Sequence, residues 1–305
     1  MDDAERAPGR LVTGGALVVA LLAVSTAATL FKLSEAPPVV KAFYRLLLTT
    51  LLIAPFAVAL HGREMRALTR RDWALMSGIG VVLALHFWTW IASLDYTSTA
   101  SSLLFVTLHP LLIGAAAPFV LGERTPVAMW VAIGIAFTGV AIIAAGDAGG
   151  GRLPLLGDFL AFLGAVAFAV YLLAARRIRQ RLSVLPYTLV VYGAASASLL
   201  LFALLTREAL WGYPPEEYGV FLALAVVPMI FGHTVINWVV KHVPATLVSV
   251  TILGEPVVGA AIAWLVLQEA PPAAAYYGGV FILAGIYLAV RVENRPKAPP
   301  DAPAG

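Results

Sequence analysis

Glu255 is the one acidic residue in the middle of a long apolar segment, and Pro256 follows it directly. The segment runs over about 245–267, so in a membrane this carboxyl would sit at the bilayer midplane. A charge there costs about 2.5–3.5 kcal/mol on translocon scales, so the side chain must face protein rather than lipid. Such a carboxyl can serve as counter-ion to a substrate amine or as a group that exchanges a proton. The alternative is a structural carboxyl that caps donors where Pro256 disturbs the helix. His109-Pro110 stands at the centre of an earlier segment, about 98–120. The two prolines lack a backbone N–H, which frees the carbonyls of Val106 and Ile252 four residues earlier. Loose carbonyls beside ionisable side chains can hold a polar solute. His109 would then share a proton with Glu255 or help it clamp a zwitterion. A histidine hydrogen-bonded within its own helix is the other reading.

The two places are related by an internal repeat. Adding 146 to His109-Pro110, Leu121-Gly122-Glu123, Pro126 and Gly139 gives Glu255-Pro256, Leu267-Gln268-Glu269, Pro272 and Gly285. Aligned without a gap, 97–143 and 243–289 share nine identities in 47, among them Pro110/Pro256, Glu123/Glu269, Pro126/Pro272 and Gly139/Gly285. A duplication inside a membrane protein implies two halves that move against each other around a central site.

A second symmetric pair is His86 and His233. His86 lies about 4 Å outward of the centre of its segment (73–94), and His233 about 6 Å inward of the centre of its own (218–240). An inverted repeat produces that opposite displacement. His86 shares a helix face with Trp90, and His233 with Asn237, each at i+4. With Trp88 and with Tyr171 of the sixth segment, these residues suggest an aromatic, hydrogen-bonding cavity wall. Trp88 and Trp90 could equally belong to an interfacial aromatic belt. Arg45, early in the second segment, is expected to snorkel to the outer surface or to pair with an acid, with direct substrate contact as the lesser alternative. Asp95, Glu123 and Glu269 end their segments and read as structural acids. Small residues follow each proline, Gly114-Ala115-Ala116-Ala117 and Gly259-Ala260-Ala261, which predicts close packing of these two helices, against each other near the repeat axis.

These side chains need a scaffold, and composition supplies its class. The chain is 61% hydrophobic and only 12% charged, with a mean hydropathy of +0.90; that is about half the charge of a soluble protein. Apolar stretches long enough to cross a bilayer recur at 11–31, 37–60, 73–94, 96–122, 125–146, 159–175, 182–206, 218–240, 243–268 and 270–290. The reading is an all-α membrane protein with ten transmembrane helices in two inverted-topology five-helix repeats. The first apolar run is too long for a signal-peptide core and is expected to remain as a helix. With ten spans, 15 Lys and Arg fall on one side and 4 on the other, Arg45 being inside a span. The positive-inside rule places both termini in the cytoplasm. The first repeat occupies 1–146 and the second 156–291, with a Gly-rich linker at 147–155. A Pro- and Ala-rich tail at 292–305 is expected to be disordered.

The repeat also carries a family resemblance. Ser93-Leu94-Asp95-Tyr96-Thr97-Ser98-Thr99-Ala100-Ser101-Ser102, then Pro110 and Leu121-Gly122-Glu123-Arg124, resemble the signature region of the drug/metabolite transporter superfamily. His242-Val243-Pro244-Ala245, Glu255-Pro256 and Gln268-Glu269 form the second copy. The match is to the ten-helix branch with two EamA domains and covers nearly the whole chain. The resemblance implies an inner-membrane carrier, usually an exporter, for amino acids or related small metabolites. Helices 1, 3, 4, 6, 8 and 9 would surround its cavity. His109 departs from the family, which usually has an uncharged residue there. The embedded glutamate of the related four-helix exporters has no counterpart in segment 11–31, so their proton-exchange mechanism is not carried over.

Other classes fit the sequence less well. There is no cysteine, which removes thiolate chemistry and disulfides. Metalloprotease, serine and paired-aspartate intramembrane motifs are missing, so an enzyme is not expected. Gly149-Gly150-Gly151 lacks the Gly-Lys-Ser/Thr ending of a phosphate loop. No cofactor, metal or nucleic acid is expected, and the basic balance follows from topology. The expected partners are a small-molecule substrate, the lipid bilayer and protons as candidate co-substrates, in a monomer or homodimer. A receptor or channel-like protein without transport activity is the alternative.

Overall fold

Each apolar run becomes a helix because a backbone in hydrocarbon must satisfy its own N–H and C=O groups. In a computed structural model, which describes residues 8–146, 152–268, 271 and 273–294, ten helices are long and apolar enough to cross a membrane. They are α1 (Arg10–Lys32), α2 (Pro38–Arg66), α3 (Arg70–Ser93), α4 (Ser101–Val120) and α5 (Val127–Ala145) in the first repeat. The second repeat contains α6 (Pro154–Arg179), α7 (Val184–Leu205), α8 (Pro215–Val239), α9 (Ala245–Leu267) and α10 (Ala273–Glu293). The Gly149-Gly150-Gly151 run, Glu269, Pro272 and most of the C-terminal tail lie outside the described residues.

The packing repeats itself under exchange of the halves. α3 packs on α6 as α8 packs on α1, and α3 on α7 as α8 on α2. α4 meets α6 as α9 meets α1, while α2 pairs with α7 and α5 with α10 across the axis. The α5–α10 pair is the tightest. A Cβ on Gly139 would collide with the Gly278 carbonyl oxygen, and one on Gly278 with that of Gly139. Backbones approach this closely only where side chains are absent. α3 and α6 are the most enclosed helices, whereas Phe56, Leu60, Phe119, Leu265 and Tyr277 are exposed on the outer surface. Apolar side chains on the outside and polar ones within are what lipid requires.

Apart from a kink in α2 at His61, four helices are irregular, each beside residues of one central cavity. α4 breaks at Thr107-Leu108 and restarts at His109; α9 breaks at the equivalent Leu253-Gly254 and restarts at Glu255. Both restarts carry a proline in their first turn, where its missing N–H has no helical partner to lose. The same equivalence holds at the far ends, where Gly122 (φ 71°) and Gln268 (φ 58°) both adopt the left-handed conformation that stops a helix. α1 breaks at Ser25-Thr26. α8 widens into π-helix over Ala225–Thr234, around Pro228. These last two have no counterpart in α6 and α3, so the repeat is imperfect where helices border the centre.

The small residues after each proline do not meet one another. Gly114 packs under the Trp130 ring of α5, and Gly259 lies against the Ser25 carbonyl of α1. The second half of α4 instead touches the first half of α9. The inverted repeat is the reason: the two post-proline halves run toward opposite faces of the membrane.

Candidate functional site

The broken helices enclose a cavity between the repeats. Val24 and Ala27 of α1, His86, Phe87 and Trp90 of α3, Leu103, Val106, Thr107 and His109 of α4, Phe168 of α6, His233 and Ile236 of α8, and Ile252, Glu255 and Pro256 of α9 line it. Those are the six helices expected to surround it, and α2 adds Arg45. Glu255 and His109 occupy the first positions of the restarted helices, so each proline break turns a side chain inward. Glu255 is half-buried, while His109 is buried with its Nδ1 unpaired.

The three histidines gather around one ring. Phe168 lies 4.8 Å from the His109 ring, 5.0 Å from His86 and 6.4 Å from His233, centroid to centroid. His86 Nδ1 donates to the Gly164 carbonyl at 2.9 Å. That bond leaves Nε2 as its acceptor nitrogen. The His86 ring is also parallel to that of Trp90 at 6.3 Å, and the Trp90 indole N–H is buried without an acceptor among the described residues. His233 packs edge-on against Phe87 at 5.2 Å, with its Nδ1 unpaired. The wall therefore offers flat apolar surface together with unused hydrogen-bonding atoms. That combination suits a solute with an apolar body and a few polar groups.

Five of the eight residues expected at the site line the cavity: Glu255, His109, His86, Trp90 and His233. Asn237 and Tyr171 lie behind the wall. Asn237 Nδ2 donates to the Tyr171 hydroxyl at 2.5 Å, to the Tyr192 hydroxyl at 3.0 Å and to the His233 carbonyl at 2.8 Å, all buried. This network fixes the turn of α8 that presents His233. Trp88 points away from the cavity and packs against Phe202 of α7 at 4.4 Å. It is two residues from both His86 and Trp90, a separation of about 200° around a helix.

Arg45 does not snorkel, and among the described residues it makes no hydrogen bond to an acid, although Glu255 lies near enough to attract it electrostatically. Arg45 is 1% exposed, and all three guanidinium nitrogens are buried without a hydrogen-bond partner among the described residues. Its charge rests on the faces of Phe87, 4.3 Å from the ring centroid, and Phe31, at 5.6 Å. α2 packs against α7 and α8, and the face that carries Arg45 borders the cavity rather than the rim. Phe168, Phe87 and Arg45 are among the cavity residues that the sequence reading did not choose as site residues. The signal for Arg45 was present, as the one basic residue inside a span. Nothing in the sequence distinguishes Phe168 from other phenylalanines on apolar helices.

Contacts between the repeats tie both ends. At the arginine-rich end, Arg176 Nε donates across the repeats to Glu123 Oε1 at 2.6 Å, while its Nη1 reaches the carbonyls of Val240 and Lys241 in its own repeat at 2.9 and 2.7 Å. There Arg181 also binds Asp72, and the Ser183 N–H donates to Glu64 at 2.6 Å. At the other end, Glu217 accepts from the Ser34 hydroxyl at 2.6 Å and from the Glu35 N–H at 2.7 Å. Thr97 and Ser101 hydroxyls donate to Asp158 at 2.8 and 2.6 Å.

Known proteins share this architecture. The chain is similar to an uncharacterized transporter of Archaeoglobus fulgidus, 23% identical over 86% of this chain and 91% of the relative. It is also similar to the pseudopaline exporter CntI of Pseudomonas aeruginosa, 25% identical over 75% of this chain and 78% of that one. A solved crystal structure superposes with a TM-score of 0.77 over 93% of this chain and 99% of its own, at 21% identity, which shows a shared fold. Two segments, 11–145 and 155–291, each match the EamA-like transporter family. With ten apolar helices arranged as two such units, the chain is a multi-pass membrane transporter that belongs to the EamA-like transporter family.

Proposed function

We propose that the protein is a secondary transporter that exports amino acids or related small amphipathic metabolites by alternating access around the midplane cavity. The observation that carries this reading is the cavity itself. It lies between the repeats, at the proline breaks of α4 and α9, and combines Arg45, Glu255 and three histidines with aromatic walls. A solute with an amine, an acid group and an apolar body matches that lining better than a polyanion does. The cross-repeat contacts at both ends are side-chain bonds that rocking of the halves can break in turn. Export is supported by a relative named as an exporter. The 15-to-4 distribution of Lys and Arg supports the inner (plasma) membrane with both termini, and the Arg176 end, in the cytoplasm. The expected assembly is a monomer or a homodimer. Glu255 is the candidate for coupling to protons.

The test is accumulation of a labelled panel of amino acids and amines in cells that express the protein against cells that express Glu255→Gln. Lower accumulation of at least one panel member with the wild type alone supports export. Equal accumulation of every member in both strains contradicts it.

A further inference from the structure

We infer that Arg45 is the receptor for a carboxylate on the transported solute. This deepens the carrier reading above, and rests on it for the word transported, while the binding site itself stands on the geometry of Arg45.

A guanidinium carries five N–H donors, and each unmade hydrogen bond in a buried site costs free energy. Arg45 is 1% exposed, makes no hydrogen bond among the described residues, and borders the cavity. Its two neighbours, Phe87 and Phe31, cover the face of the cation and provide no acceptor. Cation–π contact of that kind fixes the plane of the group without satisfying its N–H donors. A planar fork whose buried donors have no partner matches a carboxylate through two parallel bonds. Glu255, the other charged residue of the lining, attracts Arg45 electrostatically but accepts no hydrogen bond from it among the described residues.

Charge selects among anions. Glu255 is the acid of the lining and Arg45 its one permanent cation. A bound monocarboxylate neutralises Arg45, and a solute amine or a proton neutralises Glu255. A phosphate dianion would leave an uncompensated negative charge beside Glu255 in a dry site, which is costly. The partner is therefore a monocarboxylate with an apolar body that can lie against Phe87, Trp90 and Phe168. The acid group of the solute meets Arg45 rather than His109, whose ring is packed against Phe168.

The experiment measures binding of phenylalanine, phenylacetate and phenylethylamine to the purified full chain by thermal shift and equilibrium binding. Phenylacetate keeps the acid without the amine, and phenylethylamine the amine without the acid. Arg45→Gln is expected to weaken phenylacetate and phenylalanine about 30-fold, as loss of one partner of a desolvated pair does. Arg45→Lys should weaken them less, because a point charge replaces the fork. Phenylethylamine should bind Arg45→Gln at least as tightly as it binds the wild type, since it has no acid group to lose a partner. Without ligand, Arg45→Gln should melt no lower than the wild type, since an unpaired buried charge is removed. Phenylacetate binding to Arg45→Gln within about threefold of wild type overturns the proposal, the change being far below that loss. So does failure of all three compounds to bind the wild type, or loss of all three together in an Arg45→Gln protein that melts lower. The carrier reading has its own readout. Arg45-dependent binding with no wild-type flux of phenylalanine in proteoliposomes would sink transport and leave the carboxylate site standing.

Discussion

Glu217 and Asp72 are both the third residue of their helix, α8 and α3, and each grips the loop after the first helix of the other repeat. Because α3 and α8 enter the membrane from opposite sides, these acids latch opposite ends of the cavity. Their strengths differ. Glu217 is 8% exposed and accepts two bonds at 2.6 and 2.7 Å, from Ser34 and Glu35. Hydrogen bonds to a charged group contribute about 1.5 kcal/mol each at the low end, so Glu217→Ala removes about 3 kcal/mol from the closed state. At 1.4 kcal/mol per tenfold, the open population at that end rises about 100-fold. Arg181 is 51% exposed, so solvent screens its pair with Asp72 and the pair contributes little. Arg176–Glu123 and Glu64–Ser183 still hold that end. Asp72→Asn should therefore open the arginine-rich end by no more than about fivefold. The natural chain has no cysteine, so Leu103→Cys in the cavity wall gives a thiol without background. Its labelling by a membrane-impermeant maleimide, from outside cells and from inside-out vesicles, reads the two openings separately. The expected result is a large rise from outside with Glu217→Ala and a small rise from inside with Asp72→Asn. A change below about threefold with Glu217→Ala, or the same sidedness for both variants, would refute the latch reasoning.

Three further outcomes follow from the same geometry. Gly139→Val should destabilise the α5–α10 seam by about 1–3 kcal/mol through overpacking, seen as a lower melting temperature in detergent; an unchanged value would contradict the close approach of Gly139 and Gly278. Asn237→Leu leaves the Tyr171 and Tyr192 hydroxyls without their shared donor, so stability should fall by about 1–3 kcal/mol. Solute affinity should fall with it as His233 loses its support, and a stable variant with normal affinity would show that the network does not position the site. Finally, a double-mutant cycle with His109→Gln and Glu255→Gln should give non-additive losses of affinity, because both line one cavity; strict additivity would separate their roles.

The fold was legible because lipid imposes a simple code. Ten apolar runs, two prolines 146 residues apart and asymmetric arginines were enough to read ten helices and an inverted repeat. The breaks at Thr107-Leu108 and Leu253-Gly254 followed from Pro110 and Pro256, since a missing N–H acts locally. Glu255, His109, His86 and His233 could be read because polar atoms at midplane must turn inward. Arg45 was misplaced because position along a span does not reveal which way the helix faces, and a long side chain can reach either rim or cavity. Trp88 was misplaced through the same angular uncertainty, two residues being enough to cross to the opposite face. The role of Phe168 depends on which three rings surround it, and that is set by packing between repeats. The asymmetric irregularities, the π-turn around Pro228 and the break at Ser25-Thr26, also depend on tertiary fit.

The central claim is that solute crosses through the Arg45–Glu255 cavity by alternating exposure. Counterflow in proteoliposomes tests it most directly: vesicles preloaded with unlabelled phenylalanine, labelled phenylalanine outside, and wild type beside Glu255→Gln and Arg45→Gln. Saturable uptake stimulated by the internal solute, and lost in both variants while they remain inserted and monodisperse, is the predicted result. Flux by the two variants equal to that of the wild type, or wild-type uptake that neither saturates nor responds to internal solute, would contradict the account.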